Sequence, residues 1–415
     1  MVPNGWESRH LEELSTKISD GIHTTPKYAD YSSVYFVNGN NLKNGQIVIQ
    51  ESTKFVDEID AEKHRKELSD RTILMSINGT IGNLAYYRGE NVVLGKSACF
   101  INVKKNVDVD FIYNVLNSEK TQAFYTSELT GSTIKNLSLK TIKLTKVNFP
   151  PLPEQQKIAK ILSTWDKAIA TTERLIATSQ QQKKALMQQL LTGKKRLVNP
   201  ETGMVFEGDW EEVKLGDLAS KITKGTTPST NGFQFYDSGI NFVKVESVMK
   251  SGKFDASKFA YINEKCHSAF KRSQLEQDDI LFSIAGALGR TALVTIDILP
   301  ANTNQALSIV RLKKRLSNVE FVLHYLNSSA VASIVKGLTA QAAQPNLSLK
   351  DVGNLPIKLP SALEQQKIAS VLTVADKEIE LLEAKLAHLK DEKKALMQQL
   401  LTGKRRVKVE AMEMA

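Results

Sequence analysis

Residues 183–194 read KKALMQQLLTGK, and residues 393–404 repeat this stretch without a change. The offset is 393 − 183 = 210 residues, and the same offset separates EQQKIA at 154–159 from its copy at 364–369. Both copies of the longer stretch then run into a short basic patch. A repeat with so long a period indicates a chain made of two related halves.

Apolar residues around these repeats are spaced alternately four and three residues apart, as in the seam of a coiled coil. The apolar seam residues are Ile158, Leu162, Trp165, Ile169, Ile176, Leu186 and Leu190 in the first copy and Ile368, Leu372, Ile379, Leu382, Leu386, Leu389, Leu396 and Leu400 in the second. Ser361 and Glu364 have the spacing of a capping box, and Gly193 and Gly403 stand where a helix C-cap belongs. The pattern predicts two helices of about 38 residues, or roughly 57 Å each.

One helix cannot bury such a stripe alone, so we expect the two copies to pair as an antiparallel coiled coil. The alternative is that each helix packs on its own globular segment. Identity also extends to residues off the seam, which pairing does not require, and these are Lys184, Gln188, Gln189, Lys394, Gln398 and Gln399. We predict that they bind two copies of one partner, although a recent duplication would also explain the identity.

The segments before the helices are related more loosely. Both alternate short runs typical of β-strands, such as residues 73–77 and 280–284, with turns rich in Asn and Gly. The expected fold class is α+β: two α/β-type domains separated by two long helices, with a pseudo-two-fold internal repeat. The expected boundaries are 1–153 for the first variable segment, 154–196 for the central helix, 197–360 for the second variable segment, 361–407 for the C-terminal helix and 408–415 for a tail.

Composition narrows the class of protein. Of 415 residues, 41% are hydrophobic, which excludes a mainly disordered chain. Only two cysteines are present, Cys99 and Cys266, so a disulfide scaffold is excluded. Without a signal peptide or an apolar run approaching roughly 20 residues, a cytoplasmic protein that binds no membrane is expected. The net charge of 55 − 45 = +10 suits a polyanionic partner such as nucleic acid.

Polar and basic loops recur in both variable segments. Asn, Gln, Lys and Arg can pair with base edges, while Lys, Ser and Thr can hold phosphates. A single loop of this kind is more often a solvated turn, and only the recurrence favours DNA. The predicted DNA-binding residues are Thr25, Lys27, Tyr28, Asn38, Asn40, Asn41, Asn78, Lys96, Thr133, Lys135, Lys224, Thr226, Thr227, Lys244, Arg290, Asn302, Asn304, Gln305, Gln344 and Asn346.

Catalytic motifs are weak. Gly95-Lys96-Ser97 resembles the end of a phosphate-binding loop, but five residues instead of four separate it from Gly89, and a strand rather than a helix is expected to follow. The Asn-Pro-Pro-aromatic motif of amino-methyltransferases does not occur, and the six histidines show no metal spacing. We therefore expect no catalytic residues and no metal site, although sequence alone does not exclude a serine triad.

With these residues in view, the chain resembles the specificity subunits of type I restriction–modification enzymes. The resemblance covers nearly the whole chain and rests on the order and duplication of several motifs: Gly5-Trp6-Glu7, Asn136-Leu137-Ser138, Pro150-Pro151-Leu152-Pro153-Glu154-Gln155 and Leu190-Leu191-Thr192-Gly193, each with a second copy. It departs at residues 361–363, where the second helix lacks the double proline before it.

The resemblance implies a DNA-recognition subunit. Two target-recognition domains would each read one half of a split double-stranded DNA site, and the two helices would set the spacing and dock two methyltransferase subunits. Motor-nuclease subunits would join through the complex. No cofactor is expected on this chain, whereas S-adenosylmethionine, ATP and Mg²⁺ are expected on the partner subunits.

Two other functions stay open at this point: a specificity subunit of a type II-like methyltransferase–nuclease system, and a coiled-coil scaffold that binds no DNA. A DNA-binding protein would lose affinity steeply with salt and an apolar scaffold would not. The repeat also predicts that residues 1 to about 196 pair with themselves as a symmetric dimer. In that dimer Thr172 would lie near the axis, and Lys183 would extend its ammonium group to water.

Overall fold

The computed structural model describes residues 2–131, 135–340 and 345–409. The chain divides into two compact units: unit 1 comprises residues 1–173 and 384–415, and unit 2 comprises residues 174–383. Each unit therefore contains one variable segment, the N-terminal half of one long helix and the C-terminal half of the other.

Unit 1 is a mixed α/β structure. Its elements are β1 (Glu7–His10), β2 (Ser15–Asp20), β3 (Tyr28–Ala29), β4 (Val34–Val37), β5 (Leu42–Lys43), β6 (Gln46–Ile47), β7 (Phe55–Val56), α1 (Glu58–His64), β8 (Thr72–Ser76), β9 (Leu84–Tyr86), β10 (Val92–Leu94), β11 (Ala98–Val103), α2 (Val109–Asn117), α3 (Glu119–Ser127), α4 (Leu139–Lys143), β12 (Lys146–Phe149) and the first part of α5 (Leu152–Leu190), with 3-10 turns at Leu11–Leu14 and Gly39–Asn41. The main sheet has the order β2-β11-β8-β9 and is antiparallel. A second sheet has the order β10-β4-β7-β3, in which β10 and β4 are parallel.

Unit 2 repeats this plan. Its elements are the end of α5, then β13 (Glu211–Lys214), α6 (Leu215–Leu218), β14 (Ala219–Lys224), β15 (Ile240–Val243), β16 (Ala260–Ile262), α7 (Glu264–Ala269), β17 (Ile280–Ser283), β18 (Thr291–Leu293), β19 (Ala301–Thr303), β20 (Leu307–Leu312), α8 (Val319–Leu326), α9 (Ser329–Thr339), α10 (Leu349–Gly353), β21 (Pro356–Leu359) and the first part of α11 (Ala362–Leu400), with 3-10 turns at Pro228–Asn231, Val245–Ser247, Ala256–Lys258, Lys271–Ser273 and Ile296–Ile298. The main sheet, β14-β20-β17-β18, has the same order as in unit 1. The sequence prediction of two related α/β-type domains is confirmed.

Both faces of each main sheet are covered, which explains the continuous apolar runs at 73–77 and 280–284. Ile73 and Met75 of β8 pack in the core that contains the long helices, while Leu74 between them packs in a separate core on the other face. In β17, Ile280 and Leu281 divide in the same way. Because successive side chains of a strand point to opposite faces, a strand buried on both faces has no polar alternation.

Helices α5 and α11 each span 39 residues. They run antiparallel within each unit. In unit 1, Asp166 of α5 contacts Lys393 of α11 at 2.5 Å, and in unit 2 Lys183 of α5 contacts Asp376 of α11. Every apolar residue of the predicted seam is buried or half-buried, whereas the off-seam positions 184, 188 and 189 are exposed, as are their copies. The antiparallel coiled coil expected from the heptad spacing is thus present.

One local expectation was wrong. Ser361 Oγ accepts from the backbone N–H of Glu364 at 3.4 Å, but the Glu364 carboxylate does not complete the capping box, because it binds Arg196 of a distant segment instead. The Lys183 ammonium group, predicted to extend to water in a dimer of the half chain, pairs with Asp376 in the intact chain.

Within the described ranges, no helix is both long enough and apolar enough to cross a lipid bilayer.

Candidate functional site

Each long helix begins with a buried glutamate that binds an arginine from beyond the end of the other long helix. Glu154 accepts from Arg406 through two contacts, Nε at 2.7 Å and Nη2 at 2.8 Å, and also from Trp6 Nε1 at 2.9 Å. Glu364 accepts from Arg196 at 2.6 and 2.8 Å. The paired carboxylate raises the pKa of each arginine. These two Glu–Arg clamps fasten the start of one helix to the end of the other.

The glutamine next to each clamp glutamate joins the helix to the variable segment. The Gln155 side chain accepts from the backbone N–H of Asp108 at 2.9 Å and donates to Pro150 O at 2.7 Å. Gln365 makes the same two bonds, to Asn318 N and Pro360 O, both at 2.9 Å. Anchoring within the chain therefore accounts for the Glu–Gln pair at the start of the EQQKIA repeat. The next two residues, Gln156 and Lys157, are exposed, as are their copies.

The KKALMQQLLTGK repeat, in contrast, lines an open groove in each unit. In unit 2, a groove of about 450 Å³ lies between the end of α5 and the α8–α9 turn; its lining includes Lys184, Met187, Gln188, Leu191, Tyr325 and Ser328. In unit 1, a groove of about 660 Å³ lies between the end of α11 and the α2–α3 turn; its lining includes Lys394, Met397, Gln398, Leu401, Val115 and Ser118. The lining residues of the helical walls from Lys183 to Thr192 are the same in the second groove, whereas Gln180 of the first is replaced by Lys390. The facing walls share an Asn-Ser pair, at 117–118 and 327–328, and differ elsewhere.

Four of the six predicted partner-binding residues line these grooves: Lys184, Gln188, Lys394 and Gln398. The other two, Gln189 and Gln399, are exposed on the adjoining helix face. In unit 1, Glu119 contacts both Lys394 and Gln398 at 3.1 Å.

Most predicted DNA-binding residues lie at the surface. The exposed ones are Thr25, Lys27, Tyr28, Asn40, Lys96, Lys135, Lys224, Gln305 and Asn346, and the half-buried ones are Asn38, Asn78, Thr226, Thr227, Lys244, Arg290 and Asn304. Thr133 and Gln344 lie outside the described residues.

Two members of the set need correction, because their side chains are inside the fold. Asn41 is 3% exposed, and its amide donates to Val48 O and Thr53 Oγ1, both at 3.0 Å. Asn302 is fully buried and bonds to His267 and Ser273. Each amide forms hydrogen bonds inside the fold and is not accessible to a base edge.

Several of the remaining side chains make local contacts. Lys244 Nζ lies 4.8 Å above the Phe235 ring, and Arg290 donates to Val248 O at 2.6 Å. Lys27 pairs with Asp57 at 3.6 Å. The structure brings together two groups of predicted residues, Asn78 with Lys96 in unit 1 and Thr227 with Gln305 in unit 2.

Sequence reasoning missed the Glu–Arg clamps and the Lys–Asp pairs between the long helices. A signal for them was available: Glu154, Asp166, Lys183 and Arg196 each recur 210 residues later. These four residues and their copies form the same ion pairs in both units, which is why they recur in both halves of the repeat.

Two kinds of side chain bear on catalytic activity, namely the cysteines and the types that bind metal ions. Both cysteines are free and buried, and burial raises the pKa of the Cys99 and Cys266 thiols, which disfavours the nucleophilic thiolate. Over the parts of the chain that the structure covers, no group of three or more His, Cys, Asp or Glu side chains is placed to hold a metal ion.

The chain matches the family model of the type I restriction modification DNA specificity domain twice, at residues 3–178 and 207–391. These matches cover most of the chain. The chain belongs to this family. We call residues 3–178 the first specificity domain and residues 207–391 the second. The chain is a DNA sequence-recognition subunit of a type I restriction–modification system, as its resemblance had indicated.

Relatives of this specificity subunit match it over most of its length. The type I restriction enzyme MjaVIII specificity subunit of Methanocaldococcus jannaschii is 27% identical, over 86% of each chain. The MjaIX specificity subunit of the same organism is 24% identical, over 98% of this chain and 95% of its own. A crystal structure of the type I restriction–modification S subunit of M. genitalium has a TM-score of 0.61 at 17% identity, covering 97% of this chain and 98% of that one, which shows a shared fold.

Proposed function

We propose that each specificity domain reads one half of a split DNA site. The observation that carries this proposal is the repeated plan: both domains have the same main-sheet order and the same anchors to the long helices, but their loops differ. A shared sheet and shared anchors with different loops are what two domains need if they bind DNA in the same way but recognise different base sequences. The +10 net charge supplies attraction to the DNA backbone.

A domain exchange tests this division. Residues 198–359 would be replaced by the corresponding segment of another specificity subunit, and the methylated sequence in host DNA would be mapped. We expect one half of the recognised site to change and the other to stay, because each domain has its own core and loops. A change in both halves would contradict separate recognition.

We further propose that the two grooves dock two methyltransferase subunits. Helical walls that repeat the same residues over positions 183–192 and 393–402 suit two copies of one partner, and lysines around both grooves favour a partner segment that combines apolar and acidic residues. The chain itself would supply no chemistry. S-adenosylmethionine, ATP and Mg²⁺ would be held by the methyltransferase and motor-nuclease subunits, and the complex would act in the cytoplasm.

Charge reversal tests the docking. Lys184→Glu with Lys394→Glu should lower the number of bound methyltransferases below two in native mass measurements. Lys157→Glu with Lys367→Glu is a matched control, since these lysines are exposed on the same helices, are related by the same repeat and are absent from the groove linings. If both double variants retain two methyltransferases, the interface lies elsewhere. The purified chain alone, given DNA and S-adenosylmethionine, should transfer no methyl group.

A further inference from the structure

In both specificity domains, two loops are held against each other by a glycine that follows the first strand of the main sheet. Gly21 follows β2, and a Cβ there would lie 2.1 Å from Leu94 O. Gly225 follows β14, and a Cβ there would lie 1.9 Å from Thr303 O. Real Cβ atoms do not approach so closely, so each position requires glycine. The same close junction is therefore built into both domains.

Two further loops complete the junction. In the first domain, Asn78 of the β8–β9 loop and Asn136, which lies between α3 and α4, form an antiparallel bridge. In the second domain, Ala285 of the β17–β18 loop and Asn346, which lies between α9 and α10, form the corresponding bridge. We name this meeting of four loops the loop junction. Its backbone is alike in the two domains, so any difference in what it recognises lies in its side chains.

The loop junction of the first domain forms a cavity of about 330 Å³, lined by Asp20, His23, Asn78, Lys96 and Asn136 among others. His23 Nε2 lies 2.7 Å from Asp20 Oδ2. The His23 side chain is 70% exposed, whereas that of Asp20 is 19% exposed. An accessible imidazole is thus held in place by a carboxylate behind it.

The corresponding positions of the second domain carry different chemistry. Corresponding positions are those the same number of residues after the ends of equivalent strands. By this count Lys224 replaces Asp20, Thr227 replaces His23 and Gln305 replaces Lys96. Thr227 and Gln305 are hydrogen-bonded to each other. Next to them, Arg272 Nη2 donates to Thr226 Oγ1 at 3.2 Å.

We propose that the loop junction is the base-reading centre of each specificity domain, with Asp20, His23 and Lys96 determining the first half-site and Lys224, Thr227 and Gln305 the second. The inference rests on the division of the site proposed above. An exposed loop could bind phosphate instead, but the carboxylate of Asp20 would repel a phosphate and does not repel a base. Phosphates are also the same at every position, whereas the two junctions differ.

The hydrogen-bonding chemistry specifies what each junction can read. In the neutral imidazole tautomer whose Nε2–H donates to Asp20, His23 Nδ1 is an acceptor. An acceptor pairs with the amino group of adenine or cytosine. In the second domain, Lys224 donates to guanine, and the Gln305 amide can both donate and accept, as adenine requires. The two junctions therefore favour different bases.

Single substitutions in the complete complex with its methyltransferases test the proposal, with the methylated sequence in host DNA as the readout. His23→Ala should reduce the base preference within one half-site by about 5- to 150-fold, the value of one good base contact. Lys224→Ala should do the same in the other half-site only. His64→Ala is a matched control: this histidine also lies near a carboxylate, Asp60 at 3.5 Å, but on α1.

Unchanged base preferences in both His23→Ala and Lys96→Ala would overturn the inference, and so would a His64→Ala effect as large as that of His23→Ala. If one substitution altered both half-sites, the proposal that each domain reads one half-site would be contradicted instead. Because His23 is exposed, its replacement leaves the core intact. Should methylation be lost altogether, selection of bound duplexes from a library randomised over the site gives the same readout.

Discussion

At the scale of single residues, the two Glu–Arg clamps are alike except for their tryptophans. Arg406 lies over the Trp6 ring and Arg196 over the Trp210 ring, with similar geometry. However, the Trp6 indole N–H donates to Glu154, whereas within the described part of the chain the Trp210 N–H has no hydrogen-bond partner.

We therefore expect Trp6→Phe to destabilise unit 1 more than Trp210→Phe destabilises unit 2. Removing Trp6 Nε1 loses a hydrogen bond to a buried charge, with a typical contribution of about 1.5–3 kcal/mol, while removing an unpartnered donor loses none. Urea unfolding of both variants, followed by circular dichroism, measures the difference. Equal losses would show that the hydrogen bond contributes nothing.

A second residue-scale prediction concerns His324, which is buried in unit 2. Its Nε2 lies 3.2 Å from Thr373 Oγ1 and its Nδ1 lies 3.9 Å from Asp376. Burial, with a smaller contribution from the Lys183 ammonium, lowers the pKa of His324 to about 4, although the Asp376 carboxylate acts in the opposite direction. The histidine is therefore neutral in the folded chain at neutral pH.

Between about pH 4 and 6.5, the unfolded chain holds a proton on His324 that the folded chain does not. The free energy of unfolding should therefore rise with pH in this window, by roughly 3 kcal/mol in total, and this contribution should be constant above it. His324→Asn, which copies Asn114 at the corresponding position of unit 1, should flatten the slope. Urea titrations across the window provide the measurement, and an unchanged slope would contradict the assignment.

At the scale of elements, a Lys–Asp pair joins the two long helices in each unit. Lys183→Asp or Asp376→Lys alone should destabilise unit 2 by placing like charges together, and the double exchange should recover most of the loss. Both side chains are partly exposed, at 21% and 46%, so the coupling should be only about 0.2–1 kcal/mol. A double-mutant cycle from thermal unfolding measures it, and a coupling of zero would mean that water screens the pair fully.

At the scale of the whole molecule, the repeat predicts that residues 1 to about 196 form a symmetric dimer. The half chain would expose the apolar stripe of α5, and each seam leucine or isoleucine contributes on the order of 1.5–3 kcal/mol when fully buried. It also carries Glu154, Asp166, Lys183 and Arg196, so two copies can rebuild every Glu–Arg and Lys–Asp pair of the intact chain.

With methyltransferase present, such a dimer should methylate an interrupted palindrome built from the first half-site, because its two specificity domains are identical. Sedimentation at micromolar concentration and mapping of methylated DNA provide the two measurements. A half chain that stays monomeric, or one that methylates an asymmetric site, would refute the pairing or the division of the site.

The sequence by itself determined the repeat, the two helices and their apolar seam. These features depend on the spacing of apolar residues along the chain, and that spacing is local: Ile158 and Leu162 lie on one helix face in any fold that keeps the helix. The heptad phase also favoured pairing of the two copies. Recurrence at one offset predicted two domains of one kind and, with the motifs, their family.

Only the tertiary structure decided which polar side chains face solvent and which form hydrogen bonds in the interior. Asn41 and Asn302 have the same residue type as exposed Asn40, yet their amides are consumed by loop carbonyls and neighbouring side chains that the sequence does not place. The Arg406–Glu154 pair joins residues far apart in the chain, and the loop junction assembles four separate loops. Hydrogen bonds and ion pairs act over a few ångströms, so they depend on positions that exist only after the chain has folded.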